Sequence, residues 1–278
     1  MPAVAGPRMH WVSVLTLTVL VVFVGAVVAL VAADVFYLAE AQLRDGAEGV
    51  MREVLGSRPI RHAMFLSLVT TAVSLVLVIL VAVPTGYALS RYRFPGSIVL
   101  DALVDLPIVL PPIVIGVSLL VFFRTPIGRA IESVPGLEFV YTPKGIVLCQ
   151  FFVSASYGIR AAKSAFDAVD RRLEHLALTL GCTHGQAFRW VALPMARNGL
   201  AAGAVMAWAR AVGVFGPLMI FAGTVRMKTE VLPTTIYLEL SIGRIEPALG
   251  VAMLMLAMAM VALTAIHAIG TRARWWGA

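Results

Sequence analysis

The stretch EHLALTLGCTHGQAFRWVALP, residues 174–194, interrupts a chain that is otherwise close to continuously apolar. It lies between two long hydrophobic runs and carries helix formers on both sides of one glycine, Gly181. Asp170 stands at an N-cap position, Gly181 supplies a C-cap or a positive-φ break, and Pro194 starts the next helix. The spacing predicts a helix-break-helix element between two membrane spans. Periodicity alone leaves a second reading open, an amphipathic helix lying in the membrane interface.

Composition sets that context. The 278 residues are 60% hydrophobic and 13% charged, against roughly 25% charged in an ordinary soluble domain. This is the balance of a polytopic membrane protein. The formal net charge is +7, but the basic residues are scattered through loops instead of forming a stripe with interleaved aromatics, which argues against a nucleic-acid partner. Cys149 and Cys182 have neither CxxC nor Cys/His spacing, so they read as unpaired thiols and no metal site is expected. GIRAAKS at 158–164 lacks the second glycine of a phosphate-cradling loop. No His/Asp/Glu constellation recurs across the spans, so no catalytic residue is expected and the chain does not read as an enzyme.

The hydrophobic runs predict an all-α fold, a single transmembrane domain over 1–278 with six spans at about 11–33, 63–90, 98–123, 145–162, 199–223 and 247–269, and a loop at about 163–195. Trp11 to Ala33 carries no charge and as a helix is about 35 Å long, longer than a signal-peptide core of about 7–15 residues. Pro84 and Gly86 are expected to bend or end the second span. The third carries Asp101 and Asp105, then Pro107, Pro111 and Pro112, each of which removes a backbone donor. It is expected to be broken and to face protein or a cavity. No matching break is expected in the other half. Arg160 at the end of the fourth span is expected to snorkel.

Arg210 falls inside the fifth span, at a cost of about 2.5–3.5 kcal/mol on insertion scales, so it should face the bundle interior. Two readings stand: a cation free to meet an anion, or a structural pair with Asp105, Asp101 or carbonyls freed by the prolines. Residues 34–61 are long enough for an outer amphipathic helix. Six spans place both termini on one side, but Lys and Arg divide almost evenly between the two sets of loops, so their count does not set the orientation.

The pattern from Glu174 through Ala177, Leu180 and Gly181 to Leu193 and Pro194, thirteen residues beyond the glycine, resembles the EAA signature of ABC importer permeases. LPIVLPPIVIG (106–116), TPIGRAIE (125–132), GIVLCQFFVSASYGIRAAKSAF (145–166), LPMARNGLAAGAVMAWARA (193–211) and FAGTVRMKTEVLPTTIYLELSIGRIEPAL (221–249) extend the likeness. Together they look like the molybdate/tungstate branch of the oxyanion importer permeases over roughly residues 60–270.

The resemblance implies a permease that moves an oxyanion inward, molybdate or tungstate first and sulfate or thiosulfate as the alternative. It implies a second copy of the chain, ABC ATPase subunits that carry ATP-Mg, an extracytoplasmic solute-binding protein, and no cofactor on this chain. It also implies residence in the cell membrane, with the signature loop and both termini cytoplasmic. Glu174, His175, Leu176, Ala177, Gly181, Leu193 and Pro194 would couple to the ATPase, the glutamate through a charge-assisted contact. Arg210 with Pro107, Pro111 and Pro112 would line the path. Residues 224–244, with Arg226 and Lys228, would dock the binding protein and hold a re-entrant segment at VLPTTIYLEL, a solvated loop being the other reading. The rival from another class is an ion-coupled secondary transporter, which would be built from repeats with paired broken helices. Two departures stand out: His175 and Leu176 replace small residues of the signature, and ARAVGVFG (209–216) has Val214 where the family has glutamate.

Overall fold

The computed structural model describes residues 8–44, 50–92 and 95–275, and every regular element among them is helical. The uncharged N-terminal run becomes α1 (Arg8–Arg44), and no residue from Val14 to Tyr37 is buried against the rest of the chain. Residues 34–61 are not one outer amphipathic helix. They divide among the end of α1, a short α2 (Val50–Gly56) and the start of α3 (Arg58–Arg91), with 45–49 outside the described residues. Pro84 lies inside α3 without ending it, and the helix runs on to Arg91.

The proline-rich run is broken as its composition demands. It forms α4 (Ser97–Val109) and α5 (Pro112–Arg124), bent by 109°. Pro107 stays inside α4, and the break falls at Leu110 and Pro111, both in extended backbone, with Pro112 opening α5 where a missing donor costs nothing. A short α6 (Pro126–Glu132) follows, then α7 (Pro143–Asp167), which passes Arg160 without interruption.

Beyond α7 come α8 (Arg171–Thr179), α9 (His184–Ala187), a π-helical turn at Phe188–Ala192 and α10 (Leu193–Val212). The loop proper is therefore 168–192. The fifth apolar run is not one span to residue 223. It breaks at Gly213 to Phe215 and resumes as α11 (Gly216–Phe221), with Pro217 in the first helical turn. So the second half does contain a partner to the broken third span. The chain ends in α12 (Leu232–Ser241) and α13 (Ile245–Trp275).

By length and composition α1, α3 and α7 can each cross a membrane, and the bent pair α4 and α5 makes a fourth candidate. The centre is a bundle of α3, α7 and α10 built on small residues: Val78, Ala82, Ile159, Ala162 and Ala207 form one buried cluster. Without a hydrophobic drive between helices in lipid, such close approach and interhelical hydrogen bonds hold them together. Ser74 of α3 donates to the Val147 carbonyl of α7 at 3.0 Å. A second cluster joins the two broken runs: Ile115, Leu119 and Phe123 of α5 pack with Leu218 and Phe221 of α11 and Ile146 of α7. At their crossing, a Cβ on Gly116 would sit 2.6 Å from the Pro217 Cα, so only glycine fits.

Candidate coupling surface and translocation path

The elbow that interrupts the apolar chain is closed by local hydrogen bonds. Asp170 caps α8 by accepting from the Arg172 amide at 2.9 Å. At the other end Gly181 takes φ +91, its amide donates to Leu178 O, and the Cys182 amide donates to Ala177 O, each at 3.0 Å. This is a Schellman closure, and its left-handed residue is strained for anything but glycine. The next helix opens with a capping box. Thr183 Oγ1 accepts from the Gln186 amide and Gln186 Oε1 accepts from the Thr183 amide.

Glu174 points inward, not toward a partner. It is 8% exposed; Arg91 Nε donates to its Oε1 at 2.7 Å and Tyr87 OH donates to Oε2 at 2.7 Å. Arg91 also reaches the Val169 carbonyl at 3.1 Å, and Ser90 donates to Asp167 at 2.6 Å. The Tyr87 ring stacks edge-on against Phe166 and Phe188. The charge-assisted contact expected with an ATPase is thus used inside the chain, to staple α8 onto the end of α3. Ala177 is buried beside it, Leu193 is half-buried, and Pro194 is exposed in the first turn of α10. What faces outward is His175, Leu176 and Leu180, the last 87% exposed, around a Gly181 with nothing within 4 Å. That is an apolar knob on a rigid stem.

Arg210 lies in the last turn of α10, one turn before the break at Gly213, not in mid-helix. Its Nε is buried without a hydrogen-bond partner, and its guanidinium carbon lies 5.5 Å from the centre of the Tyr157 ring. It does not pair with the acidic residues of α4. Arg160 donates to Asp101 Oδ1 at 2.8 Å and pairs with Asp105, and Lys163 reaches Asp101 at 3.0 Å. Arg160 therefore does not snorkel but ties α7 to the broken span. The acidic pair is spent there, and the cation at the second break keeps a donor in reserve.

At the far end of α3, residues 222–244 form a folded platform. Leu232 N donates to Ser67 Oγ at 2.8 Å, seating α12 on α3. Arg226 donates to Glu239 at 2.6 Å, and Lys228 is exposed. Of the two cations expected to dock a binding protein, one is half spent within the chain.

With this geometry in place, comparison with known proteins settles the family. Residues 79–274 match the binding-protein-dependent transport system inner membrane component family. The chain belongs to that family. This inner membrane component is 43% identical over 156 residues to the molybdate/tungstate transport system permease protein WtpB of Thermococcus kodakarensis. That match takes in 56% of this chain and 58% of the relative's length. It is 36% identical over 205 residues to a probable molybdenum ABC transporter permease of Haloferax volcanii, 74% of each chain. The molybdenum transport system permease protein ModB of Mycobacterium tuberculosis is 36% identical over 217 residues, 76% of this chain and 78% of that one. Among solved structures, its fold is similar to a chain of a bacterial alginate ABC transporter, TM-score 0.75 at 17% identity over 95% and 96% of the two chains. Family membership removes the secondary-transporter reading even though a second broken helix is present.

Sequence reasoning missed three groups in this membrane component. Arg91 and Tyr87 are 83 and 87 residues from Glu174, beyond any local pattern. Arg160 carried a visible signal, a cation one helix away from two span acids. Val214, where the resemblance expects a glutamate, is 3% exposed in the cluster between the two broken runs, so it fills space there and offers Arg210 no carboxylate.

Proposed function

We propose that this chain is the permease subunit of an ABC importer, that it pairs with a second copy, and that it passes molybdate or tungstate inward. Six crossings then come from α1, α3, the bent α4 and α5, α7, the broken α10 and α11, and α13, with both termini and the elbow cytoplasmic. A separate ATPase, holding ATP-Mg, seats on the elbow, and an extracytoplasmic solute-binding protein delivers the anion to the platform that carries Lys228. The observation that carries this reading is the apolar knob of Leu176 and Leu180 on a stem fixed by Arg91, Glu174 and Tyr87. A side chain as exposed as Leu180 contributes little to its own fold, so its surface is available to a partner. The anion itself is supported by the named relatives and by the reserve donor of Arg210.

The test is reconstitution with the ATPase and binding protein. Leu180→Asp should change stability by less than about 0.5 kcal/mol, as surface changes do, and leave the dimer intact in detergent. It should nevertheless abolish molybdate uptake and binding-protein-stimulated hydrolysis. Wild-type uptake should be competed by tungstate before sulfate; the reverse order would make this a sulfate permease. Normal uptake in Leu180→Asp would remove the elbow from the coupling surface.

A further inference from the structure

The end of the molecule opposite the elbow holds a buried carboxylate without a hydrogen-bond donor. Residues 225–230 close into a tight loop in which the amides of Lys228, Thr229 and Glu230 all donate to the Val225 carbonyl, at 3.1, 3.0 and 3.1 Å. Thr229 Oγ1 returns the bond by accepting from the Val225 amide. The loop turns Glu230 inward to 0% exposure, and neither carboxylate oxygen receives a hydrogen bond. Thr235 stands beside it, but its one hydroxyl proton goes to the Val231 carbonyl at 3.1 Å.

The charged and titratable groups facing Glu230 are Arg226 of the loop, Glu239 of α12 and His62 of α3. Arg226 is already bonded to Glu239 Oε1 at 2.6 Å. Arg244, on the far side of Glu239 at 3.3 Å, is paired with Glu53 as well. Glu239 Oε2 is buried without a hydrogen-bond donor, and so is His62 Nδ1 without a partner. Neither Glu230 oxygen has a donor, and the nearby arginines both engage Glu239 instead, Arg226 at its Oε1 and Arg244 Nη1 at its Oε2.

We propose that Glu230 is a proton-binding site: its carboxyl holds a proton inside the closed loop, and release of that proton loosens α12 from α3. The proton supplies the donor this pocket lacks and leaves the Arg226 and Glu239 pair neutral. The environment favours the same state. Burial, the largest influence, raises the Glu230 carboxyl above the ordinary range; the nearby Glu239 charge acts in the same direction, and Arg226 and His62 act against it. A carboxyl raised in the folded state binds its proton more tightly there than when unfolded. The seat of α12 is therefore fully stable below the ordinary carboxylate range and weakens as pH rises through the raised value. Nothing in this depends on which anion is carried.

Infrared titration of the full permease in complex with its ATPase tests the site directly. The expected result is a protonated carboxylic-acid band that persists above the ordinary carboxylate range and is lost completely in Glu230→Gln. The unfolding midpoint should fall with rising pH in the wild type and lose that slope in Glu230→Gln. Should the variant fail to assemble, Glu230→Asp decides: it keeps a carboxyl at this position, so the band must persist but move in frequency. A band that is absent, that survives in Glu230→Gln or that is unmoved in Glu230→Asp overturns the proposal.

Discussion

At the elbow, Glu174 lies 8% exposed with both oxygens taken by Arg91 and Tyr87; at the opposite end, Glu230 lies 0% exposed with neither oxygen taken. Both are buried glutamates at the ends of one helix, α3, separated by about 36 Å between the residues that seat them, Ser67 and Arg91. The first is a fastener whose charge is cancelled at hydrogen-bond distance, so the loop it holds has one shape. The second receives no hydrogen bond at either oxygen, so its charge is not cancelled at hydrogen-bond distance. Arg210 resembles the second case: a buried donor with only an aromatic face beside it. In this chain, paired charges set geometry and unpaired ones are left to respond.

The largest effect should come from breaking the fastener. Glu174→Ala leaves Arg91 buried without its carboxylate, which typically costs about 3–5 kcal/mol. The thermal midpoint in detergent should drop steeply, with stimulated hydrolysis lost along with it. Replacing both partners, Arg91→Met with Glu174→Leu, should recover most of the midpoint, because an apolar pair of similar volume removes the stranded charge. If the single change is as mild as a surface pair, about 0.2–1 kcal/mol, then Glu174 is a partner contact after all.

Gly181→Val should be intermediate. The left-handed backbone costs a β-branched residue about 1–2 kcal/mol, and nothing in the chain lies within 4 Å to clash. Uptake and binding-protein-stimulated hydrolysis should both disappear while dimers persist in detergent; normal values would return the elbow to a simple interfacial helix.

Smallest in stability, and sharpest in meaning, is Arg210→Ala. It removes a cation-aromatic contact of about 0.5–1 kcal/mol, or about 2 where it is desolvated, so the complex should assemble. Uptake should be lost, with Arg210→Lys keeping part of it. Failure of Arg210→Ala to assemble would show that the reserve donor is structural, and the contrast with Glu174 would collapse.

Much of the fold was legible because single residues with strong backbone effects marked it. Three prolines predicted the broken third span, and Asp170 with Gly181 predicted both ends of α8. The second break was harder to see, although Gly213, Gly216 and Pro217 stand in the sequence, because they sit in an apolar run whose length alone suggested one continuous helix. The partners of buried charge were the least legible part, with only Arg160 giving a signal. Glu174 looked like an offered contact, and Asp101 and Asp105 looked available to Arg210, because pairing across 55 to 87 residues is fixed by packing, not by spacing.

The π-turn at Phe188–Ala192 joins α9 to α10 without a break, so His184 to Val212 is one rod about 43 Å long. A rod of that length pivoting at Thr183 shifts its far end by about 0.7 Å for each degree of tilt. That far end carries Arg210 and abuts the break at Gly213, so an angular displacement of the knob too small to alter its own contacts arrives at the second break as a translation comparable to a bond length. On the coupling role proposed above the elbow is a geared input, and the staple of Arg91, Glu174 and Tyr87 limits slack at its stem.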